Sequence, residues 1–491
     1  MGTTPCGASC ALHSKESPRR WVWASRDMIG LLVTVLLVWS AGGPAGAPST
    51  FLTPALSVVL SDEASSTNAR GSPRSAQDLQ AALTAAIQSG AASFTIEGGT
   101  YRFAKDTSLL IHNATDLSIR APDPVELIFA GSAGVSFVSA ARVTIQNIAI
   151  DYDPPPTTSH SSITYALVNS SDVLTEDLTI RNAPYMAVTA FTGGGNHTFR
   201  RLRFAPHPGA PLASQRDAIH FSDVRVGPTI ENSSIGWCGD DFLNIKNTLM
   251  LLLRCDSASS CIVINPHVAG EQPIPFGGTS VLATARPGDR LSFYQWPSHD
   301  MVMPQLKVSA AQGSATVTSL EPATASSAMA AEAALLEKSL IGVWPWTNWT
   351  NQSMPFGTSE LWRVSFSAPL PETIWRRAAP GEVTLINVDS ISCAGSRVLY
   401  SNFTDTGSQL GRFKSPGGEI IGNRFDPGSG AYNLEFSALP QWFEGPVCHH
   451  TLEACSLATH FRIQNLMSPL GILVGATGQH HSCRQRFRFA R

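Results

Sequence analysis

A short apolar strand ending in asparagine recurs along most of this chain. It reads VTIQN (Asn147), LTIRN (Asn182), PTIEN (Asn232), VTLIN (Asn387), VLYSN (Asn402), EIIGN (Asn423) and FRIQN (Asn465). HTFRRLRF keeps the strand at Phe199 without the asparagine. The intervals vary because segments such as DYDPPPTTSH and APHPGAPLASQ are inserted between repeats. Fixed strands with turns of variable length are what a solenoid permits, since each coil stacks only on its neighbours and insertions leave from one face. The asparagines suit stacked turns, where their side chains hydrogen-bond the backbone between coils. The expected fold is therefore all-β, a right-handed parallel β-helix (solenoid).

The repeat lapses between Cys255 and Ala379. RPGDRLSFYQW, LKVSAAQGSATVTSL and LWRVSFSAPL alternate like antiparallel strands, and SSAMAAEAALLEKSL has helical composition and spacing. This predicts a small β-rich, barrel-like domain over 266–380, inserted between a first solenoid part (74–265) and a second (381–475). Ala76 to Ser89 places Leu79, Leu83 and Ile87 on one helical face, and Gly90 follows. A helix there caps the open end of the solenoid, which otherwise exposes strand edges. The closing RQRFRFAR reads as a basic, solvated C-terminal tail (476–491).

Before the solenoid, Arg19, Arg20 and Arg26 precede an apolar run from Met28 to Trp39, followed by small residues through Ala47. The run is short of the roughly 20 residues that span a bilayer. It fits a secretory signal peptide over 1–47, with an uncleaved signal anchor as the alternative. Residues 48–73 are rich in Ser, Ala, Pro and Thr and read as a linker. Asn-x-Ser/Thr sequons follow at Asn113, Asn169, Asn196, Asn232, Asn348, Asn351 and Asn402. The expected setting is the secretory pathway, ending outside the cell or at its surface, or in a Golgi or vacuolar lumen. An oxidising compartment would let Cys255–Cys261 and Cys448–Cys455 close small disulfide loops. Cys393 reads as a small buried apolar residue.

Chemistry concentrates between Gln215 and Asn247, in QRDAIHFSDVRVGPTIENSSIGWCGDDFLNIKN. Asp217-Ala-Ile-His-Phe221 aligns with Asp241-Phe-Leu-Asn-Ile245 at an offset of 24 residues, about one coil. Coils stack at about 4.8 Å, so Asp217 and Asp241 should lie one above the other with Asp240 beside them, all on an outer face. Both aspartates share the phase of the inward residues Ile219, Phe221, Leu243 and Ile245. A charged carboxylate in an apolar core is too costly, so the chain must kink just after each Asp and expose it. Inverting glycoside hydrolysis needs a protonated acid at the leaving oxygen and a base holding water. Asp217 and Asp241 can share the water, and Asp240 can serve as the acid. The competing readings are a plain Asp-Asp turn and a calcium site, which three carboxylates also suit.

These residues resemble the three-aspartate constellation of inverting β-helix glycosidases. The nearest likeness is to glycoside hydrolase family 110, exo-acting α-galactosidases with an inserted barrel. It runs through GGTYRF, IDYDPPP, QRDAIHF, GDDFLNI, PGDRLSFY, GRFKSPGGEIIGNRF and WFEGP, most of the chain after residue 75. The resemblance implies Asp240 as general acid, Asp217 and Asp241 as the base pair, and no cofactor or metal. The sequence departs from that family at Lys246, where a His is expected, and Lys246 is instead similar to polygalacturonases. Their Asn-Thr-Asp and Gly-His-Gly signatures are missing. A lysine there can pair with a uronate or sulfate, or steady Asp241.

His220 and Asn244 hold equivalent outward positions on adjacent coils and can line a sugar site; the alternative is a solvated outer face. Arg412, Lys414 and Glu444 recur in the resembling segments and can reach the groove from later coils. Trp442 and Trp237 can stack on a sugar ring. A net charge of −3 with 14% charged residues leaves no nucleic-acid footprint and no polybasic membrane patch. The partner expected is an α-galactoside-containing glycan, with membrane contact only if the N-terminal segment stays uncleaved. A polygalacturonase-like hydrolase and a non-catalytic carbohydrate-binding β-helix are the alternatives.

Overall fold

The computed structural model describes residues 74–105, 107–131, 134–155, 163–265, 281–295, 312–341, 360–376, 383–406 and 411–426, with short strands at 57–58, 433–435, 451–457, 462–464 and 486–489. The signal segment, the sequons Asn348 and Asn351, and the repeat asparagine Asn465 lie outside the described residues. So do Cys448, Trp442 and Glu444.

The chain is a parallel β-solenoid of about 10 turns, as the repeat predicts. One wall is a nine-stranded parallel sheet. It runs in chain order from Leu109–His112 through Val135–Val138, Tyr165–Val168, Val188–Phe191, Ile219–Ser222 and Leu243–Lys246 to Gly411–Phe413, Asn433–Glu435 and Arg462–Gln464. The remaining solenoid strands form a 17-stranded sheet. The interior is filled by ladders of like residues from successive coils. Phe103 stacks on Phe129 at 4.5 Å, Phe199 meets Tyr165 and Phe221 edge-on, and Phe403 stacks on Phe425 at 4.9 Å. Stacking is natural where each coil repeats the inward position of the last.

Corners are turned by residues in the left-handed region, which Asn and Asp tolerate best. Asn113 and Asp116, Asn169 and Asp172, and Asn196 are such residues, and so are the repeat asparagines Asn147, Asn182 and Asn232. Two repeat asparagines bridge coils through the backbone, as expected. Asn147 Nδ2 donates to the Ala121 carbonyl at 2.7 Å, and Asn423 both donates to the Val398 carbonyl and accepts from the Ser401 N–H. Asn387 is different, because VTLIN belongs to a barrel strand rather than a coil.

The helix Ala76–Gln88 forms where its periodicity places it, with Ser75 accepting from the Asp78 N–H as N-cap and Gly90 at positive φ beyond the end. It buries Leu79 and Leu83 against the first coils. Gln80 then treats the first strand of the nine-stranded sheet as a neighbouring strand would. Its Nε2 donates to the Leu110 carbonyl at 3.0 Å and its Oε1 accepts from the Leu110 N–H at 2.7 Å. This satisfies part of an edge that would otherwise be open to pairing.

Three boundaries differ from expectation. The inserted domain is a closed six-stranded barrel that includes Met250–Ser257, Ser260–Asn265 and Thr384–Val388, so it is wider than 266–380. Apolar runs such as LMLLL and VTLIN do not by themselves distinguish a parallel coil from an antiparallel barrel strand. Ser57–Val58, inside the expected linker, pairs in parallel with Ser93 and Phe94. Arg486–Phe489, expected as a solvated tail, adds a parallel strand to Thr451–Leu457. Cys255 and Cys261 form the expected disulfide in the barrel, and Cys393 is fully buried.

The barrel's attachment fixes the next coil. At its start, Asp223 accepts from both the N–H and the hydroxyl of Thr248. At its end, the Cys393 thiol donates to the Lys246 carbonyl and the Cys393 N–H to the Val224 carbonyl. Arg225 donates to both Asp289 oxygens at 2.9 Å, tying coil to barrel. With the barrel looped out between these anchors, Asn244 pairs directly with Arg412 in the next coil.

Candidate active site

The register places Ile219 on Leu243, His220 on Asn244 and Phe221 on Ile245. Just ahead of these strands, the Ala218 N–H donates to the Asp241 carbonyl, and so Asp217 and Asp241 stand on neighbouring coils. The expected kink is present. The chain bends at Ala218 and at Phe242, the residues just after each aspartate, before the strands Ile219–Ser222 and Leu243–Lys246 begin. An unbroken strand would turn alternate residues to opposite faces. Each aspartate is thereby turned out of the apolar interior.

The carboxylates of Asp217, Asp240 and Asp241 offer oxygens that all lie within 4.8 Å of one another. They are not, however, all open to solvent. Asp217 and Asp241 are 4% and 2% exposed, which corrects the expectation that both stand free on the outer face. Asp240, with 28% of its side chain exposed, is the one that water reaches. Buried carboxylates persist only with partners, and each here has a basic one. Asp217 Oδ2 lies 2.8 Å from His220 Nδ1, Asp240 Oδ2 accepts from Arg216 at 3.0 Å, and Asp241 Oδ2 faces Arg412 Nε at 3.1 Å. A carboxylate only accepts, so His220 carries its ring proton on Nδ1.

Burial pushes the Asp241 carboxyl well above the usual carboxylate range. The Arg412 guanidinium opposes this, the neighbouring Asp217 and Asp240 charges add to it, and Lys414 opposes it again. Crowded carboxylates raise one another in this way, and a cluster that must hold a proton needs such a member.

The outward column His220, Asn244, Arg412 is continuous over three coils. His220 and Asn244 are buried, at 2% and 6%, so the column is no solvated face. Lys414 is fully buried, with Nζ 3.5 Å from Asn244 Oδ1. Lys246 is 1% exposed, and its charge acts on the Asp223 carboxyl and the Cys393 thiol at the barrel junction. Arg412 and Lys414 are cations whose charge acts on Asp241. Trp237 is one of four large apolar side chains exposed among the described residues.

Two residues escaped the sequence reading. Arg216 pairs with Asp240 across one coil, and its guanidinium lies 5.8 Å from the centre of the Tyr185 ring. The same offset that relates Asp217 to Asp241 relates Arg216 to Asp240, so the signal was available for Arg216. Nothing comparable marks Tyr185.

Gly239 opens the turn that carries Asp240 and Asp241. A Cβ there would lie 2.5 Å from the Gln215 carbonyl oxygen, part of the preceding coil's backbone. Gly239→Ala must therefore displace the turn, at about 1–3 kcal/mol for overpacking. Because carboxyl placement within an ångström matters, turnover should fall by roughly 10²-fold. A thermal melt and an assay on one sample check both; wild-type turnover in a folded variant would remove the turn from the site.

No protein-family model and no curated protein matches this chain.

Proposed function

We propose that the protein is a glycoside hydrolase of the secretory pathway, an inverting exo-acting α-galactosidase in type. The observation that carries this reading is the cluster of three carboxylates from adjacent coils, each held by its own basic partner. Asp240, at the solvent side, protonates the leaving oxygen, while Asp217 and Asp241 hold the attacking water. His220 fixes Asp217 in place, and Arg412 with Lys414 limits the charge at Asp241.

The same partners weigh against the calcium alternative. A calcium cage leaves net negative charge for the ion. Here Arg216 and Arg412 already lie against two of the three carboxylates, with Lys414 acting behind Asp241. They also favour a neutral sugar over a uronate. Arg412 faces Asp241, Arg216 pairs with Asp240, and Lys246, the residue that resembles polygalacturonases, is buried beside Asp223. The expected secretion accords with sequon asparagines Asn113, Asn169, Asn196, Asn232 and Asn402, all on exposed positions.

The test is hydrolysis by the purified protein of α-galactosides against galacturonides, with the anomer of the first-formed sugar read by NMR. The expected product is β-galactose, the inverted form. The cluster makes this a severe test. Oxygens within 4.8 Å are closer than the roughly 6.5–9.5 Å usual between an inverting acid and base, and nearer the retaining spacing of about 5–5.5 Å. Inversion then requires water to sit beside the Asp217–Asp241 pair rather than between distant groups. Retained configuration would make one of that pair a nucleophile, and release of galacturonate instead of galactose would overturn the sugar assignment.

A further inference from the structure

The inserted segment APHPGAPLASQ runs from one wall of the solenoid to the aspartate turn. It is tied down at its end. The Ala213 and Ser214 N–H groups donate to the Trp237 carbonyl, the Ala183 N–H donates to the Ala213 carbonyl, and the Gly239 N–H donates to the Ser214 carbonyl. The Ser214 hydroxyl donates to the Tyr185 carbonyl at 2.8 Å and lies 3.2 Å from the Asp217 carbonyl. Leu212 reaches so close to Gly239 that a Cβ there would touch its Cδ1 at 3.3 Å. The loop is thus built onto the turn that presents Asp240.

Beneath it lies a cleft of about 310 Å³, walled by this loop and by Pro155 of the other proline-rich insertion. That volume is at the small end for ligand pockets, about 300–1,000 Å³. The walls are mostly Pro, Ala, Gly and Leu, with polar groups from His207, Asn182 and Gln215, and no Asp, Glu, Lys or Arg lines the cleft among the described residues. Gln215 directly precedes Arg216, whose guanidinium holds Asp240 at 3.0 Å. His207 Nδ1 lies 3.1 Å from the Pro208 carbonyl. A carbonyl only accepts, so in the neutral form Nδ1 bears the proton and Nε2 is an acceptor suited to a hydroxyl donor. Trp237, whose carbonyl anchors the loop, exposes an indole of the kind that stacks on sugar rings.

We propose that this cleft is the leaving-group subsite, binding a neutral saccharide unit beyond the glycosidic bond. The assignment rests on the hydrolase reading for its role but not for its chemistry. An uncharged, few-donor pocket built against the Gly239 turn selects an uncharged polyol, and its proline-lined walls hold the departing oxygen toward the acid that this turn carries. Neither proline-rich insertion is needed to build a coil.

Two variants test it: Ala210→Trp, which fills the cleft from a half-buried loop position, and His207→Ala, which removes the acceptor from an exposed one. The substrates are α-galactosyl fluoride, whose leaving group occupies no subsite, and an α-galactosyl-lactose trisaccharide. For Ala210→Trp, kcat/KM should fall at least ten-fold more for the trisaccharide than for the fluoride, and His207→Ala should move the same ratio by a smaller factor. Equal losses on both substrates, or none, overturn the subsite. Binding of lactose, followed by saturation-transfer NMR on the wild type and both variants, gives a readout without turnover. Lactose bound by the wild type and lost in Ala210→Trp supports the subsite even if neither galactoside is cleaved, in which case only the hydrolase reading falls. Lactose binding unchanged in Ala210→Trp, or undetected in the wild type at tens of millimolar, overturns it.

Discussion

Asp240→Asn should lower kcat/KM on an unactivated α-galactosyl disaccharide by about 10²–10⁴-fold, the usual worth of general acid catalysis. An aryl galactoside with a good leaving group should lose far less, because its departure needs little protonation. The substitution is nearly isosteric and keeps an oxygen for Arg216 to donate to, so the loss reports chemistry rather than collapse. Asp240 is singled out because it alone of the three meets solvent, at 28%, and follows Gly239, against which the Leu212 wall of the cleft packs. Asp217→Asn should depress both substrates alike, since water must be activated whatever departs. A leaving-group-dependent loss in Asp241→Asn, with a uniform loss in Asp240→Asn, would exchange the roles of those two carboxyls. Full activity of Asp240→Asn on the disaccharide would remove catalysis from the cluster altogether.

Much of this site was readable because a solenoid converts sequence offset into spatial adjacency. The 24-residue offset between Asp217 and Asp241 is the register of Ile219 on Leu243, and it also carries Arg216 onto Asp240. The kink was legible from the clash between the period-2 pattern and a charge at an inward phase. Burial was not. Whether a carboxylate on an outer face meets water depends on what lies over it, and Arg412 comes from a coil 168 residues beyond Asn244, across the barrel. Local pattern cannot measure such a jump. The same blindness misplaced the barrel's edges. Met250–Ser257 and Thr384–Val388 have the apolar run of a coil strand, but their partners are antiparallel. Lys246 is 1% exposed and its charge acts on Asp223 and Cys393 at the barrel junction, a neighbourhood that its offset from the aspartates does not reveal.

Asp241→Asn should lose about 10²–10⁴-fold in turnover and yet leave the folded protein more stable at neutral pH. Burial raises the Asp241 carboxyl well above the usual range, so the folded chain keeps this proton to a higher pH than the unfolded chain does. Between the ordinary carboxylate value, about 4, and the folded value, the native state binds more protons than the unfolded one. Stability from this group is therefore fully present below the unfolded value and is lost as pH rises through the folded one. Asparagine mimics the protonated form and has nothing to lose. The melting temperatures of variant and wild type should nearly coincide near pH 4, then separate in the variant's favour toward pH 7. A gain of about 0.5–2 kcal/mol is typical when a functional group held at a cost is relieved. The opposing forces are explicit, because removing the charge also deprives Arg412 at 3.1 Å and the buried Lys414 of their counterion. A variant that becomes relatively less stable as pH rises would mean that those two cations outweigh burial. Asp241 would then be a settled carboxylate in the resting protein, balanced by Arg412 and Lys414 beside Asp217 in the pair that holds the water.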